Sequence, residues 1–382
     1  VAITDHYYPE WGLWESFLID GRDSALMRDA LLETVPVELP GDAVIHIDPS
    51  SAPIIYRKGA AIISMLVDYL GEERIKAGIQ HFLEKYKFDC ANSQQYWEAF
   101  EEATGEPISA FADSWVYQPG YPILNVKREG NELHLEQQRF TFSHKEYDQV
   151  WLVPINVLVY LESGETRNIR TLMQEKTASL SIPEETVAFQ VNPTQSGFYR
   201  VRYEQADLER LGRVIEEKKL SPVGSFGLEN DLLALVYSGE YSLTDYLAFV
   251  GEHFAQEDRY LPLLDIVHNL ATLYLIAEDR RSEVAGVGRA ISEQALEKVG
   301  LEPEPGESLH ITEIRDELLW AAFTFGSEQA AEFGADQFRE LLGGGTVHED
   351  IRSSVLKIGA VGDAGAFDYF AHKLRSTDTP ET

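Results

Sequence analysis

Apolar residues recur with three different rhythms along this chain. From Val1 to about Tyr117 they fall at helical intervals. Ile62, Ile63, Leu66, Val67 and Leu70 form one stripe, which predicts a helix over 56–70 that Gly71 ends. Ile75, Ile79, Phe82, Leu83 and Tyr86 form a second stripe. Asn92-Ser93 offers an N-cap before Tyr96, Trp97, Phe100 and Ala103, and Ile108, Phe111, Ala112 and Trp115 make a fourth stripe.

Gln118-Pro119-Gly120-Tyr121-Pro122 interrupts this pattern and reads as a turn and a domain boundary. The period then becomes two. Leu124 and Val126 run into Glu129-Gly130-Asn131, and Leu133, Leu135 and Gln137 return, which predicts a hairpin. Val153 to Val159 alternate up to Ser163-Gly164. Phe189-Gln190-Val191 and Phe198 to Tyr203 read as further strands, enough for a small β-sandwich. After Tyr203 helical spacing resumes. It runs through Leu208 to Ile215, Leu228 to Val236, Tyr246 to Phe254, Leu264 to Ile276, Leu318 to Phe323 and Ile351 to Ile358. Helices of this length with short polar links have the pattern of a helical solenoid, although no fixed repeat period is present. Leu301 to Gly306, with two prolines, reads as a loop.

The 382 residues are 44% hydrophobic with a net charge of −32. That composition is globular, and it disfavours a nucleic-acid-binding surface. No apolar run is long enough for a membrane span, and no leader is visible at Val1. The aromatic segment Tyr7 to Phe17 has no helix cap before it, so a fragment of a longer protein is expected. The one cysteine, Cys90, excludes an internal disulfide framework. With no basic neighbour at hand, it reads as inert packing.

Self-contained catalytic motifs are absent. There is no His-Glu-x-x-His, no Gly-x-Ser-x-Gly and no phosphate-binding Gly-Lys-Ser/Thr loop. Gly286-Val287-Gly288 lacks the third small residue of a dinucleotide fingerprint, and Gly343-Gly344-Gly345 reads as a helix stop. His46 with Asp48 and His144 with Glu146 each offer two metal ligands, fewer than a tight site needs, and surface loops are the plainer reading. His348-Glu349-Asp350 reads as a helix opening.

Several segments, in order, resemble the aminopeptidase N family of zinc metallopeptidases. Tyr56-Arg57-Lys58-Gly59-Ala60 is similar to its Tyr-x-Lys-Gly-Ala helix. Tyr8-Pro9-Glu10-Trp11 resembles the Pro-x-Trp segment that precedes that helix. Trp115 to Pro122 resembles the Trp-x-x-Gln-x-Gly-Tyr-Pro signature that closes the catalytic domain. Asn192 and Gly197 to Tyr203 resemble the end of the β-domain, and Gly227 to Asp231 the start of the helical domain. Within the family, the cytosolic peptide-trimming branch is the nearest in pattern. That branch includes the aminopeptidases that work downstream of the tricorn protease.

The resemblance implies a multidomain, mostly α fold with a central β-sandwich. Residues 1–118 would be the helical end of a thermolysin-like catalytic domain, 119–204 a small β-sandwich, and 205–382 the N-terminal part of a HEAT-like solenoid. It implies zinc in the parent enzyme and peptide substrates, while the single cysteine and the lack of a visible leader point to a cytoplasmic location. The family's zinc ligands and its Gly-x-Met-x-Asn loop are absent from these 382 residues. In the family they precede the segment that Val1 begins, so no zinc and no turnover are expected of this chain alone. Tyr56 matches the tyrosine that stabilises the oxyanion of the tetrahedral intermediate. A tyrosine packed at a helix start is the plainer alternative. Lys58 reads as a surface charge or salt bridge, Trp115 and Tyr121 as boundary packing, and Arg200 as a cation that pairs with an acid across domains. The competing reading is a non-enzymatic helical scaffold, or one half of a split aminopeptidase that binds its missing N-terminal part.

Overall fold

The computed structural model describes residues 2–39, 50–143, 145 and 147–376. It is mostly helical with two small sheets, and it divides into two compact units, Val1–Ser242 and Leu243–Thr382. His46, Asp48, His144 and Glu146 lie outside the described residues.

The first unit begins with seven helices: Ala2–Tyr7 (α1), Leu13–Ser16 (α2), Ser24–Asp29 (α3), Gly59–Leu70 (α4), Glu72–Lys85 (α5), Ser93–Thr104 (α6) and Ile108–Trp115 (α7). The helix expected over 56–70 is two elements. A π-helical turn, Pro53–Lys58, runs into α4, and a second π-helical turn, Phe17–Asp23, packs against it. Gly71, at φ +79°, ends α4 as expected. Asn92 caps α6 through a capping box. Its Oδ1 accepts from Gln95 N at 2.9 Å, and the Gln95 side chain accepts from Asn92 N.

Seven strands follow: Pro122–Glu129 (β1), Glu132–Arg139 (β2), Val153–Leu161 (β3), Thr166–Met173 (β4), Thr177–Ser181 (β5), Thr186–Val191 (β6) and Arg200–Tyr203 (β7). One sheet has the order β5-β2-β1-β7, with β7 parallel to β1, and the other has the order β4-β3-β6. The expected hairpin is β1–β2, closed by Glu129 opposite Glu132 around Gly130 at φ +64°. Strands β4 and β5 are edge strands whose side chains stay largely exposed, with Ile169 and Met173 of β4 and Ala178 and Leu180 of β5 turned to the buried cluster. Leu124, Val126, Leu133 and Leu135 of one sheet and Val153, Ile155, Val157 and Phe189 of the other belong to a single buried cluster. Trp115, Trp151 and Tyr121 join it from the connecting segments. The Trp115 indole donates to Leu152 O at 2.6 Å, so the last helix before the sheets is tied to the start of β3. Helices Gln205–Glu216 (α8) and Pro222–Tyr237 (α9) complete the unit. The middle of α9 is buried on every side, Glu229, Asn230 and Asp231 included.

The second unit consists of Leu243–His253 (α10), Tyr260–Ile276 (α11), Arg281–Val299 (α12), Leu309–Thr324 (α13), Glu328–Leu342 (α14), Arg352–Gly362 (α15) and Ala366–Ser376 (α16). Helix α11 packs against α12 and α13, α13 against α15, and α14 against α15. The proline loop lies between α12 and α13 as expected. The buried Arg315 pins it by donating to Val299 O at 3.0 Å and Gly300 O at 3.1 Å. Gly344, at φ +89°, follows the end of α14, and His348 opens the 3-10 turn Glu349–Ile351 before α15. Cys90 is exposed, contrary to the packing role expected of it, because it sits in the loop between α5 and α6 and not on an apolar face. Among the described residues no single helix is long and apolar enough to cross a membrane.

Of the two glycines in Gly286-Val287-Gly288, only the second answers to packing. A Cβ at Gly288 would stand 2.5 Å from the Phe325 ring, whereas at Gly286 nothing lies within 4 Å. Gly288→Ala is therefore expected to destabilise the chain by about 1–3 kcal/mol, and Gly286→Ala to stabilise it by roughly 0.5–1 kcal/mol. Thermal unfolding of the two variants checks the opposite signs.

Candidate active-site face

Tyr56 sits in the middle of the π-helical turn Pro53–Lys58. Wide turns of this kind are uncommon and occur often at functional sites. Its neighbours at two residues either side, Ile54 and Lys58, are fully buried, while Tyr56 itself is 65% exposed. The turn thus presents one face to the core and its phenol to the outside. Arg57 Nη1 donates to Ser24 Oγ at 2.5 Å, which joins this turn to the first residue after the other π-helical turn.

Lys58 is not at the surface. It is a salt bridge, as one expectation had it, but a wholly buried one. Its Nζ donates to Asp29 Oδ2 and to Gly120 O, both at 2.9 Å, and lies 5.7 Å from the centre of the Phe198 ring. Burial lowers the Lys58 pKa, and Asp29 pulls it back up. Asp29, equally buried, also accepts from Gly120 N at 3.1 Å and from Thr34 Oγ1 at 2.5 Å. Gly120 has φ +84°, and a Cβ there would stand 2.5 Å from Arg139 Nε, so only glycine fits the turn that receives Lys58.

A second knot of buried charge lies among segments distant in sequence. Arg200 Nη1 donates to Asn230 Oδ1 at 2.5 Å and to Asp231 Oδ1 at 3.3 Å, and Nη2 donates to Asp23 Oδ1 at 3.1 Å. The partners expected of Arg200 are therefore acids contributed by the 17–29 segment and by α9. Burial alone would lower the Arg200 pKa, but Tyr121, Asp23 and Asp231 outweigh it and hold it above its ordinary value. Asp231 is pushed up to about 6 by desolvation, against Arg200 and Arg22. Its Oδ2 accepts from Val201 N at 3.0 Å. Arg22, lowered to about 10 by burial, donates to Gly197 O at 2.8 Å and to Tyr199 O at 3.2 Å. Asn192, in the left-handed region at φ 58°, holds Gly197 from the other side through both its side-chain atoms.

These contacts bring together four of the sequence segments singled out above: 56–60, 115–122, 197–203 and 227–231. Trp115 and Tyr121 are fully buried packing residues, as expected. Asp29, Arg22 and Asp23 were missed. A signal existed for Asp29. It follows Ala25 by four residues and Leu26 by three in α3, which puts it on the buried face. Among the described residues, no three His, Cys, Asp or Glu side chains converge around Tyr56. The donors among the described residues do not fit a zinc ion there.

The sequence matches the Peptidase family M1 domain over residues 1–115 and the ERAP1-like C-terminal domain over residues 188–382. It is 30% identical over 335 residues to Aminopeptidase M1-A of Oryza sativa subsp. japonica, covering 85% of this chain and 38% of that protein. It is 28% identical over 384 residues to Aminopeptidase 2 of Candida albicans, covering 98% and 41%. It is 29% identical over 334 residues to Tricorn protease-interacting factor F2 of Thermoplasma acidophilum, covering 86% and 41%. The chain thus spans less than half the length of these relatives.

Removing the Arg200 charge leaves two carboxylates facing an apolar stem. Arg200→Met is expected to cost about 3–5 kcal/mol, read by denaturant unfolding, and an unchanged midpoint would contradict this account of the knot. Asp231 also makes stability depend on pH. Between about pH 6 and its ordinary 3.8, the native chain binds a proton that the unfolded chain does not. Wild type is therefore expected to gain stability relative to Asp231→Asn as pH falls from 7 to 4. Parallel stability curves for the two proteins would refute that linkage.

Proposed function

This chain belongs to peptidase family M1, and on that premise we propose that it supplies the tyrosine side of an aminopeptidase active site. Members of the family are zinc enzymes that hydrolyse peptide bonds. The 382 residues contain no His-Glu-x-x-His, so the metal would be held by residues outside them and the chain alone would be inactive. In the assembled enzyme, residues 1–118 form the helical end of the catalytic domain, 119–204 a small β-sandwich, and 205–382 the first part of a HEAT-like solenoid. The substrates are peptides that lose residues from the N-terminus, and the location is the cytoplasm.

The observation that carries this reading is Tyr56, an exposed phenol on a turn that buries Ile54 and Lys58, two residues to either side. An amide carbonyl attacked by water becomes a tetrahedral centre bearing an oxyanion. A phenol O–H aimed at that oxygen donates a hydrogen bond that strengthens as charge develops, which lowers the barrier and not merely the substrate's dissociation constant. The fixed backbone of Tyr56 removes the cost of reorienting a donor during the reaction.

The second reading, half of a split enzyme, is favoured by Tyr7, Tyr8, Trp11 and Trp14. These large side chains are exposed within α1, α2 and the turn between them, a display that suits coverage by another polypeptide. Tyr56→Phe in the zinc-bearing assembly is expected to lower kcat about a hundredfold with KM little changed. Unaltered kcat, or turnover of an aminoacyl amide by this chain alone, would overturn the proposal.

A further inference from the structure

We propose that the buried Lys58–Asp29 pair is a positioning device for Tyr56, which fixes where the phenol is presented. The inference rests on the reading of Tyr56 as the oxyanion donor. Lys58 cannot itself meet a substrate, because it is fully buried with its ammonium on Asp29 and Gly120 O.

The geometry assigns the role. Asp29 receives Lys58 Nζ, Gly120 N and Thr34 Oγ1, so three stretches of chain close on one carboxylate: 29–34, the Tyr56 turn and the turn at Gly120. None of the three can slide without breaking a charged hydrogen bond in a dry place, where a broken bond is expensive. Ile54 anchors the same turn from its other end. Tyr56 is therefore held at two points, each two residues away, and its exposed ring is carried on a clamped backbone.

A buried ion pair is a poor choice if stability alone matters. Apolar residues of equal volume are often as good or better, because two charges need not be stripped of water. What the pair supplies that an apolar contact does not is one register. A methionine can pack against several neighbours at nearly equal energy, whereas an ammonium between one carboxylate oxygen and one carbonyl has a single arrangement. Transition-state stabilisation demands that tolerance, since donors must stay within about half an ångström of the productive position. Burial lowers the Lys58 pKa, and the Asp29 carboxylate opposes that shift.

The test reads Tyr56 directly, without turnover. The full chain is labelled with 3-fluorotyrosine, and Tyr56→Phe identifies the Tyr56 fluorine resonance. Lys58→Met combined with Asp29→Asn removes both charges together, so no lone charge is left buried. The variant is expected to keep a melting temperature close to wild type while its Tyr56 resonance shifts or splits. Lys58→Arg, which keeps the charge but changes its shape, is expected to displace the resonance as well. An unmoved resonance in either folded variant overturns the proposal. Failure of both to fold overturns it too, by making the pair a requirement of the whole fold. The parent reading fails separately, if Tyr56→Phe leaves kcat of the assembled enzyme untouched while the resonance still responds to Lys58.

Discussion

Among the described residues of the first unit, three side-chain cations are withdrawn from water: Arg22, Lys58 and Arg200. A buried charge is tolerable only when its partners are close and correctly aimed, so these three dictate which parts of the chain must meet. Lys58 calls Asp29 and the Gly120 carbonyl to itself. Arg22 calls the carbonyls of Gly197 and Tyr199. Arg200 calls Asp23 from one side and α9 from the other. The apolar cluster supplies the bulk of the attraction, but apolar contacts alone do not choose between neighbouring registers. The cations do, and they sit where the helical segment, the sheets and α9 come together.

This explains why the recognisable segments of the sequence are so dispersed. Gly120 must be glycine because the turn that offers its carbonyl to Lys58 has a positive φ and lies against Arg139. Gly197 is squeezed in the same way, since a Cβ there would stand 2.1 Å from the Tyr199 ring. Asn230 and Asp231 are polar in the middle of a buried helix because Arg200 and the Val201 amide need acceptors. The residue that would meet a substrate, Tyr56, is exposed, and its surroundings are specified by residues that never would. A phenol can be held accurately in the open only when the backbone beneath it is held from within.

Much of the fold was legible from periodicity. The stripes over 62–70, 75–86 and 92–103, the β1–β2 hairpin and most later helices stand where their spacing puts them. The edge strands β4 and β5 were not legible, because their inward positions include Thr171 and Ala178 and leave a weak apolar signal beside Ile169, Met173 and Leu180. The π-helical turns were not legible either, since one residue more per turn leaves no mark on so short a segment. The site was half legible. Tyr56 was nominated through a resemblance, and no pattern in its own residue types would have singled it out. Lys58 was misplaced as a possible surface charge, because a lysine between Arg57 and Gly59 looks solvated until Asp29 is known to face it. Cys90 was misread in the opposite sense, with few charges beside it but a loop around it.

The central claim is that Tyr56 faces the reacting carbonyl of a peptide. It is tested most directly by the structure of the zinc-loaded assembly with a phosphinic peptide, whose tetrahedral phosphorus carries oxygens in place of the intermediate's oxyanion. The account predicts the Tyr56 hydroxyl roughly 2.5–3.0 Å from one phosphinyl oxygen, with Lys58 still buried on Asp29. A bound inhibitor whose phosphinyl oxygens make no contact with Tyr56 would contradict it.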